Sequence, residues 1–410
     1  MTWKISTFSL LFFLTSALFG QKSSPEFRIR TITAGVSLNN LTDTTTIKNA
    51  IEFLRKAEKA FVQKGYEVQT LRISTQNFFK YLGQYSFNEA LPYLITIDKI
   101  AKRENILFSI GQVLPPDEYK EGIGDWAEAL LKATTKINFS LSISSHEKGI
   151  HYKSIKASSA IITAISKTNG GENCFHFTAS ANCEAGIPFF PAAFHDGANS
   201  FAVGLESPKL ITAAFKRDSD PAHARQTLKS VLEENLKAVE DIANEISKTN
   251  NWPYDGIDAS PAPGLDASIG EAIETYIKQP FGSPATLSAC ALITDVLKAL
   301  DIKKCGYSGL MLPIIEDKVL AKRAKEGRFT VEELLLFSSV SGTGLDVVPV
   351  PGSTSRQVIE SILTDVAALS LKYTAKALSV RLFLIPGKKA GDVVKFKNPS
   401  LTSSVVMKVN

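Results

Sequence analysis

The sequence predicts an α/β fold, either a closed barrel or a large wound sheet. Strand-like and helical patterns alternate along the chain, and roughly nine or ten apolar strands are separated by helices. No stretch rich in Pro, Ser or Gly divides the chain, and 410 residues with 44% hydrophobic and 21% charged residues suffice for a large core. A division into two domains near residue 215 is the alternative.

The first 20 residues have the pattern of a secretory signal peptide. Lys4 supplies a positive charge, and the apolar segment 8–20 ends in small residues, with cleavage expected after Ala17 or Gly20. A membrane anchor is the alternative, but this apolar segment is shorter than the about 20 residues that a span needs. We therefore expect a secreted or periplasmic protein with a single domain at 27–410 and no transmembrane span beyond the signal segment.

Each later element follows from its hydrophobic period. Alternation of apolar and polar residues, or a short apolar run, predicts strands. These strands are 27–38, 66–75, 106–114, 137–145, 174–183, 200–208, 254–264, 308–317, 344–352 and 377–387. A helical period predicts the segments between them, and Pro221 lies in the first turn of the longest one. These helices are 44–64, 87–105, 124–135, 151–168, 221–249, 268–278, 285–300, 330–338 and 356–370.

Charge and cysteine content exclude some classes of protein. Lys and Arg number 46 against 41 Asp and Glu, and no long basic run alternates with aromatic residues, so nucleic-acid binding has little support. The four cysteines form no CxxC or Cys/His cluster, which gives no sign of a zinc site. Disulfides and buried free thiols both remain open for them.

Four segments share one design, in which a short apolar strand meets small residues and one or two carboxylates. They are 174–197, 256–268, 306–317 and 341–355. In parallel α/β sheets the carboxyl ends of the strands carry the functional site. We therefore expect polar side chains from these separate segments to converge.

Asp346 is the leading candidate because it lies inside apolar sequence, where an unpaired charge is costly. It is expected to meet a cation, a metal ion or hydrogen-bond donors; the alternative is a carboxylate bound to the amides of its own loop. Asp258 is the second carboxylate, and together the two are candidate ligands of a divalent metal ion or a catalytic base. His195, next to Asp196, is the candidate proton carrier, with a surface turn as the alternative. Asp317 can simply cap the helix that follows it.

A second group of residues is expected to hold the ligand itself. Arg28 and Arg30 share one face of a strand, and Lys388 lies in a Gly-flanked loop. These cations suit a carboxylate or phosphate. The candidate hydroxyl donors are Ser341, Thr343, Ser353 and Thr354.

Seven segments together resemble the domain-of-unknown-function 711 family, also called uncharacterised protein family 0210. They are FRIRTITAGVSL, GYEVQTLRIST, AFHDGANSFAVGLESP, SPAPGLDASIGEAIE, GYSGLMLPIIED, GTGLDVVPVPGST and IPGKKAGDVVKF, from about residue 27 to about 395. The resemblance implies a ten-stranded α/β barrel similar to that of the pyruvate formate-lyase-like glycyl radical enzymes, with outer helices. It does not imply radical chemistry, because the sequence has no Arg-Val-x-Gly-aromatic loop near its end and only Lys304–Tyr307 comes near that pattern.

The expected function is an enzyme, a hydrolase or lyase, that acts on a small polar or anionic molecule in the barrel lumen. No GxSxG, GxxxxGK[ST], HExxH or GxGxxG motif is present, so no redox or nucleotide cofactor is indicated. The alternative is a non-catalytic protein that binds a small ligand in the same cavity. Perturbed, mutually facing titratable groups would distinguish the two. The sequence leaves the oligomeric state open.

Overall fold

The computed structural model describes residues 27–372 and 376–409, so the expected signal peptide, residues 1–20, lies outside it. The strands are β1 Arg28–Val36, β2 Leu71–Thr75, β3 Leu107–Gln112, β4 Ile137–Ser145, β5 Gly149–Ile150, β6 Phe177–Ala181, β7 Ser200–Glu206, β8 Tyr254–Pro261, β9 Gly344–Pro351, β10 Leu378–Ile385, β11 Val393–Val394 and β12 Ser404–Val405.

A helix lies close to each segment where the helical period predicts one, and two further helices, Pro208–Arg217 and Lys318–Lys325, lie outside those segments. The helices are α1 Thr44–Gln63, α2 Phe87–Arg103, α3 Ile123–Ala133, α4 Tyr152–Ile165, α5 Pro208–Arg217, α6 Ala224–Asn250, α7 Ile269–Ile277, α8 Thr286–Lys298, α9 Lys318–Lys325, α10 Val331–Ser338 and α11 Arg356–Leu371. Within the described ranges, no helix is long and apolar enough to cross a membrane.

A ten-stranded, mostly parallel sheet organises the molecule, in the order β8-β7-β1-β2-β3-β4-β6-β10-β9 with β5 paired to β4. The strands β1, β2, β3, β4 and β6 are parallel to one another. The pairs β7–β8 and β9–β10 run the other way, because the β1–β7 and β6–β10 junctions are antiparallel. The carboxyl ends of the first group therefore lie at the same edge of the sheet as the amino ends of the second.

The structure confirms the mixed α/β sheet but does not confirm the predicted closed barrel. The path of the sheet ends at β8 and β9, and the predicted strand 308–317 is absent. The segment 303–314 nevertheless makes backbone hydrogen bonds to both edge strands. Cys305 N donates to Ile257 O on β8 at 3.0 Å, and Ile314 N donates to Asp346 O on β9 at 3.2 Å.

One face of the sheet packs under the helices and the other faces the loop 182–199. The side chains of Ile32 on β1 and Leu54 on α1 are fully buried in the main hydrophobic cluster. On the other face, Thr33 Oγ1 donates to Pro188 O at 2.8 Å, and Ser109 Oγ donates to Ala193 O at 2.7 Å. The loop therefore lies against this second face of the sheet. Its apolar segment FFPAAF, residues 189–194, does not form a strand.

A β-bulge interrupts the pairing of β9 with β10. The register shifts between Val380 and Leu382, opposite Val347, which has φ +45°. A positive φ is unusual for a β-branched residue, and such outliers and bulges concentrate near functional sites. The bulge lies beside Asp346 and Arg381, and their side chains meet there.

Candidate functional site

Two cavities lie on the loop-covered side of the sheet. The inner cavity has a volume of about 160 Å³ and the mouth pocket about 610 Å³. Tyr307 lines both. The polar or charged side chains of the inner cavity include Arg30, Thr70, Arg72, Asn138, Thr178, Tyr307, Glu316, Thr343, Asp346, Ser379 and Arg381. Those of the mouth pocket include Asn182, Glu184, His195, Asp196, Ser200, Asp255, Lys298, Lys304 and Cys305.

Arg72 is a buried guanidinium that faces the inner cavity without a carboxylate partner. Its side chain is on β2 and the residue is 7% exposed. Among the described residues, its only hydrogen bond runs from Nε to Thr70 Oγ1 at 3.2 Å. Its guanidinium carbon lies 5.1 Å from the centre of the Phe190 ring. Within the part of the chain that the structure describes, no acceptor lies within hydrogen-bonding distance of its two terminal nitrogens.

Burial and the neighbouring charges explain the electrostatic state of Arg72. Burial, followed by the charges of Arg30 and Arg381, lowers the pKa of Arg72 to about 9, while Glu316 opposes the shift. The guanidinium therefore stays charged at neutral pH. A buried charge of this kind is costly unless a partner compensates it, which makes Arg72 a candidate for binding an anion.

Asp346 and Glu316 are both engaged by a second buried arginine. Arg381 Nε donates to Asp346 Oδ1 at 2.5 Å, and Arg381 NH2 donates to Glu316 Oε2 at 2.9 Å. Burial opposes the charge on Arg381, but the two carboxylates outweigh it and raise its pKa. Asp346 therefore meets a cation, as the sequence predicts for a carboxylate in apolar surroundings.

Arg30 is the third guanidinium of the inner cavity, and it is shared among several acceptors. Its NH2 lies 3.4 Å from Glu316 Oε1, its NH1 donates to Gln69 Oε1 at 3.0 Å, and Glu206 lies 3.6 Å away. Glu316 thus bridges Arg30 and Arg381. Arg30 and Arg381 are therefore both paired with a carboxylate, unlike Arg72.

Arg28 lies outside the inner cavity, at its rim. It binds Asp266 with two hydrogen bonds of 2.8 and 2.9 Å and also contacts Glu206 and Glu67. The hydrogen bonds from Arg28 hold the pKa of Asp266 well below its usual range. These carboxylates already neutralise Arg28, and its predicted role in ligand binding stays a prediction.

Asp258 holds a loop in place and does not line either of these two cavities. Its Oδ1 accepts from Ser260 N and Oγ and from Ser308 N, and its Oδ2 accepts from Tyr307 N at 2.9 Å. Gly306, with φ +61°, lies so close that a Cβ there would meet Asp258 Oδ2 at 2.1 Å. Burial raises the pKa of Asp258, although these donors oppose the shift. The carboxylate is fully used within the fold.

His195 lies in the mouth pocket and not in the inner cavity. It is 3% exposed, its Nε2 lies 3.3 Å from Gly197 O, and its ring packs directly on Gly35. Burial lowers the pKa of His195, although the nearby Asp255 opposes the shift. The sequence predicts that Asp346, Asp258 and His195 converge on one site, but the structure places them apart.

The remaining predicted ligand residues separate into three places. Thr343 lines the inner cavity, with its hydroxyl 3.3 Å from Leu310 O, whereas Ser341 is buried beside it without lining the cavity. Ser353, Thr354 and Lys388 follow the carboxyl ends of β9 and β10 and line neither the inner cavity nor the mouth pocket. Lys388 is exposed.

The two candidate metal ligands do not form a metal site with each other. Asp346 is paired with Arg381, and Asp258 accepts four hydrogen bonds. Over residues 27–372 and 376–409, no group of three or more His, Cys, Asp or Glu side chains gathers closely enough to hold a metal ion.

Sequence reasoning placed Arg72 on a strand but did not select it, and it did not notice Arg381. Both are single cations within apolar strands, LRIST and LSVRLFLI. That pattern is the same signal that selected Asp346. Applied to cations as well as to carboxylates, it would have found both arginines.

Comparison with known proteins gives a consistent result over most of the chain. The profile of the family described as "Uncharacterised ACR (DUF711)" matches residues 23–399. A UPF0210 protein of Halothermothrix orenii is 26% identical over 397 residues, which cover 90% of this chain and 88% of that protein. UPF0210 proteins of Acetivibrio thermocellus and Pyrobaculum aerophilum are 27% and 30% identical, over 93% and 65% of this chain and 90% and 60% of their own lengths.

Proposed function

The chain belongs to the family Uncharacterised ACR (DUF711), and we propose that this member binds a small organic anion in the inner cavity, with Arg72 as its main anchor. Arg72 carries the proposal because it is a buried cation whose two terminal nitrogens donate no hydrogen bond to the described residues. A guanidinium presents a planar edge that suits two parallel hydrogen bonds to a carboxylate. The ring of Phe190 supports one face of Arg72, which leaves that edge directed to the cavity.

Thermal unfolding in the presence of small anions tests this proposal. Acetate, lactate and phosphate are added at constant ionic strength to the natural chain, to Arg72→Met and to Lys388→Met. Lys388→Met is the matched control, because it removes an exposed cation that lines neither cavity. At a hundred times its Kd, a bound anion stabilises the native state by about 2.7 kcal/mol.

The natural chain and Lys388→Met should show this stabilisation, and Arg72→Met should lose it. Equal stabilisation of all three proteins would refute the proposal.

Acid–base catalysis on a molecule bound in the mouth pocket, by a hydrolase or lyase, is a second candidate function. It rests on the mouth pocket, where His195 lies near Asp255, and Ser200 Oγ donates to Asp255 Oδ2 at 2.5 Å. Burial lowers the pKa of His195, which favours the neutral imidazole that a general base requires. If this candidate function is right, His195→Gln should abolish turnover of the substrate and retain anion binding. Unchanged turnover in His195→Gln would rule out this candidate function.

We also propose that the sheet closes into a barrel and that the chain is exported. The segment 303–314 makes hydrogen bonds to both β8 and β9, which supports the proposal that it joins the two edge strands and closes the sheet around the cavity. The composition of residues 1–20 supports export. Mass spectrometry of the chain recovered outside expressing cells tests export, because a processed protein should begin near residue 18 or 21, and an intact Met1 would contradict it.

A further inference from the structure

The charges that line the inner cavity do not cancel. Three guanidiniums face it, those of Arg30, Arg72 and Arg381, and two carboxylates, those of Glu316 and Asp346. Among the lining side chains one positive charge is therefore left over; the buried Glu206, which is outside the lining, pairs with Arg28 and Arg30. The contacts assign this surplus to Arg72, because Asp346 and Glu316 bind Arg381 at 2.5 and 2.9 Å.

Glu316 limits how many cations a ligand can reach. Its two carboxylate oxygens point to different arginines, Oε2 to Arg381 and Oε1 to Arg30. Glu316 is 7% exposed, so solvent screens these contacts weakly. A ligand with a second negative charge would have to compete with Glu316 for Arg30 or Arg381 and would be repelled by Glu316 itself.

The volume and walls of the inner cavity restrict the rest of the ligand. About 160 Å³ is well below the about 300 Å³ at which pockets for drug-sized molecules begin, so the ligand has only a few carbon atoms. Phe189, Phe190 and Met311 form apolar walls, and Thr178 and Ser379 bring hydroxyl groups to the same space. These walls suit a short carbon chain with one polar substituent.

We propose, on the basis of the anion site above, that the ligand is a short monocarboxylate and that Glu316 is the residue that excludes dianions. The carboxylate pairs with the terminal nitrogens of Arg72, and its carbon chain packs against Phe189 and Phe190. Glu316 acts through charge and does not touch the ligand carboxylate. It is a specificity residue of the site.

Calorimetric titration with three probes tests this inference: lactate as monocarboxylate, malonate as dicarboxylate of similar size, and inorganic phosphate. The proteins are the natural chain, Glu316→Gln, Arg72→Met and, as matched control, Glu67→Gln. Glu67 is a 63% exposed partner of Arg28 at the rim, so its replacement removes a carboxylate without changing the inner cavity. All titrations are done at one pH and one ionic strength.

The natural chain and Glu67→Gln should bind lactate at least tenfold more tightly than malonate or phosphate. Glu316→Gln should raise the affinity for malonate at least tenfold, because the repulsion by Glu316 is removed and Arg30 and Arg381 each lose one carboxylate contact. Tighter binding of malonate or phosphate by the natural chain would overturn the inference, and so would an unchanged ratio in Glu316→Gln. The comparison within the natural chain decides the ligand class even if Glu316→Gln does not fold.

These outcomes separate the inference from the proposed function. If the natural chain binds malonate or phosphate best and Arg72→Met abolishes that binding, the anion site stands and the monocarboxylate class is wrong. If no probe shows binding that depends on Arg72, the proposed function fails and the inference fails with it.

Discussion

Two arginine residues of the inner cavity, Arg72 and Arg381, are buried to a similar extent but have opposite roles. Arg381 is held by Asp346 and Glu316, whereas the one hydrogen-bond partner of Arg72 in the described part of the chain is the hydroxyl of Thr70. Breaking a buried ion pair leaves an uncompensated charge and costs about 3–5 kcal/mol. Removing a buried charge that has no partner has no such cost.

The two arginines should therefore respond differently to the same substitution. Arg381→Met should lower the free energy of unfolding by about 3–5 kcal/mol. Arg72→Met should leave it unchanged or raise it, because methionine fills similar space without a charge. Urea unfolding without added anion measures both. A large loss of stability in Arg72→Met would show that Arg72 has a structural partner and would contradict its role as a free anchor.

At the scale of elements, Asp258 organises the segment that approaches β8. Asp258→Asn replaces one acceptor oxygen by an amide that cannot accept from the backbone N–H groups of Tyr307 or Ser308. We expect a loss of about 2–3 kcal/mol and faster hydrogen exchange at residues 305–309. Asp266→Asn, at the half-exposed rim, is the control and should leave exchange there unchanged. Slow exchange at 305–309 in Asp258→Asn would refute this role.

His176, at the start of β6, should make stability depend on pH. Its Nδ1 is buried without a hydrogen-bond partner, and burial lowers its pKa to about 4. In the unfolded chain its pKa is about 6.5, so below that pH the unfolded state takes up a proton that the native state does not. Stability should therefore be unaffected above pH 7 and fall by about 2 kcal/mol between pH 7 and pH 5.

Urea unfolding at pH 7, 6 and 5 measures this loss. His176→Leu should remove most of it, and His223→Gln, at an exposed helix end, should keep it. A pH dependence that survives unchanged in His176→Leu would assign the effect to other groups.

The elements that sequence predicts best are those whose signals are local. The helical period gave α1 and α4 within a few residues, and Asp317 caps α9 by accepting from Val319 N and Leu320 N, as its position suggested. The predicted strand 308–317 failed because its apolar residues are buried without ladder pairing, beyond a few isolated bonds. Burial alone produces the same apolar run as a strand.

At the scale of the whole molecule, the fold holds its cysteines as thiols. All four are free, and burial raises the pKa of Cys174, Cys183 and Cys290 to about 12. We expect the native protein to react slowly with Ellman's reagent at pH 8 and the unfolded protein to release four equivalents. A reductant should leave the Tm unchanged. Fewer than four thiols after unfolding, or a lower Tm with reductant, would show a disulfide.

The site was less predictable from sequence than the fold, because convergence depends on long-range geometry. Sequence showed that Asp346 needs a partner but not that the partner is Arg381, which is 35 residues away and opposite a bulge. His195 was expected in the same site, yet the loop 182–199 carries it to the mouth pocket. Which cation remains unpaired follows only after every other pair in the cavity is known.

The most direct test of the central claim, that Arg72 anchors an anion, is a crystal structure of the protein soaked in sodium bromide, with bromide located by its anomalous scattering. We predict a buried bromide within hydrogen-bonding distance of the terminal nitrogens of Arg72 and no such peak in Arg72→Met. Bromide found only on the protein surface, with none beside Arg72 in the natural chain, would contradict the claim.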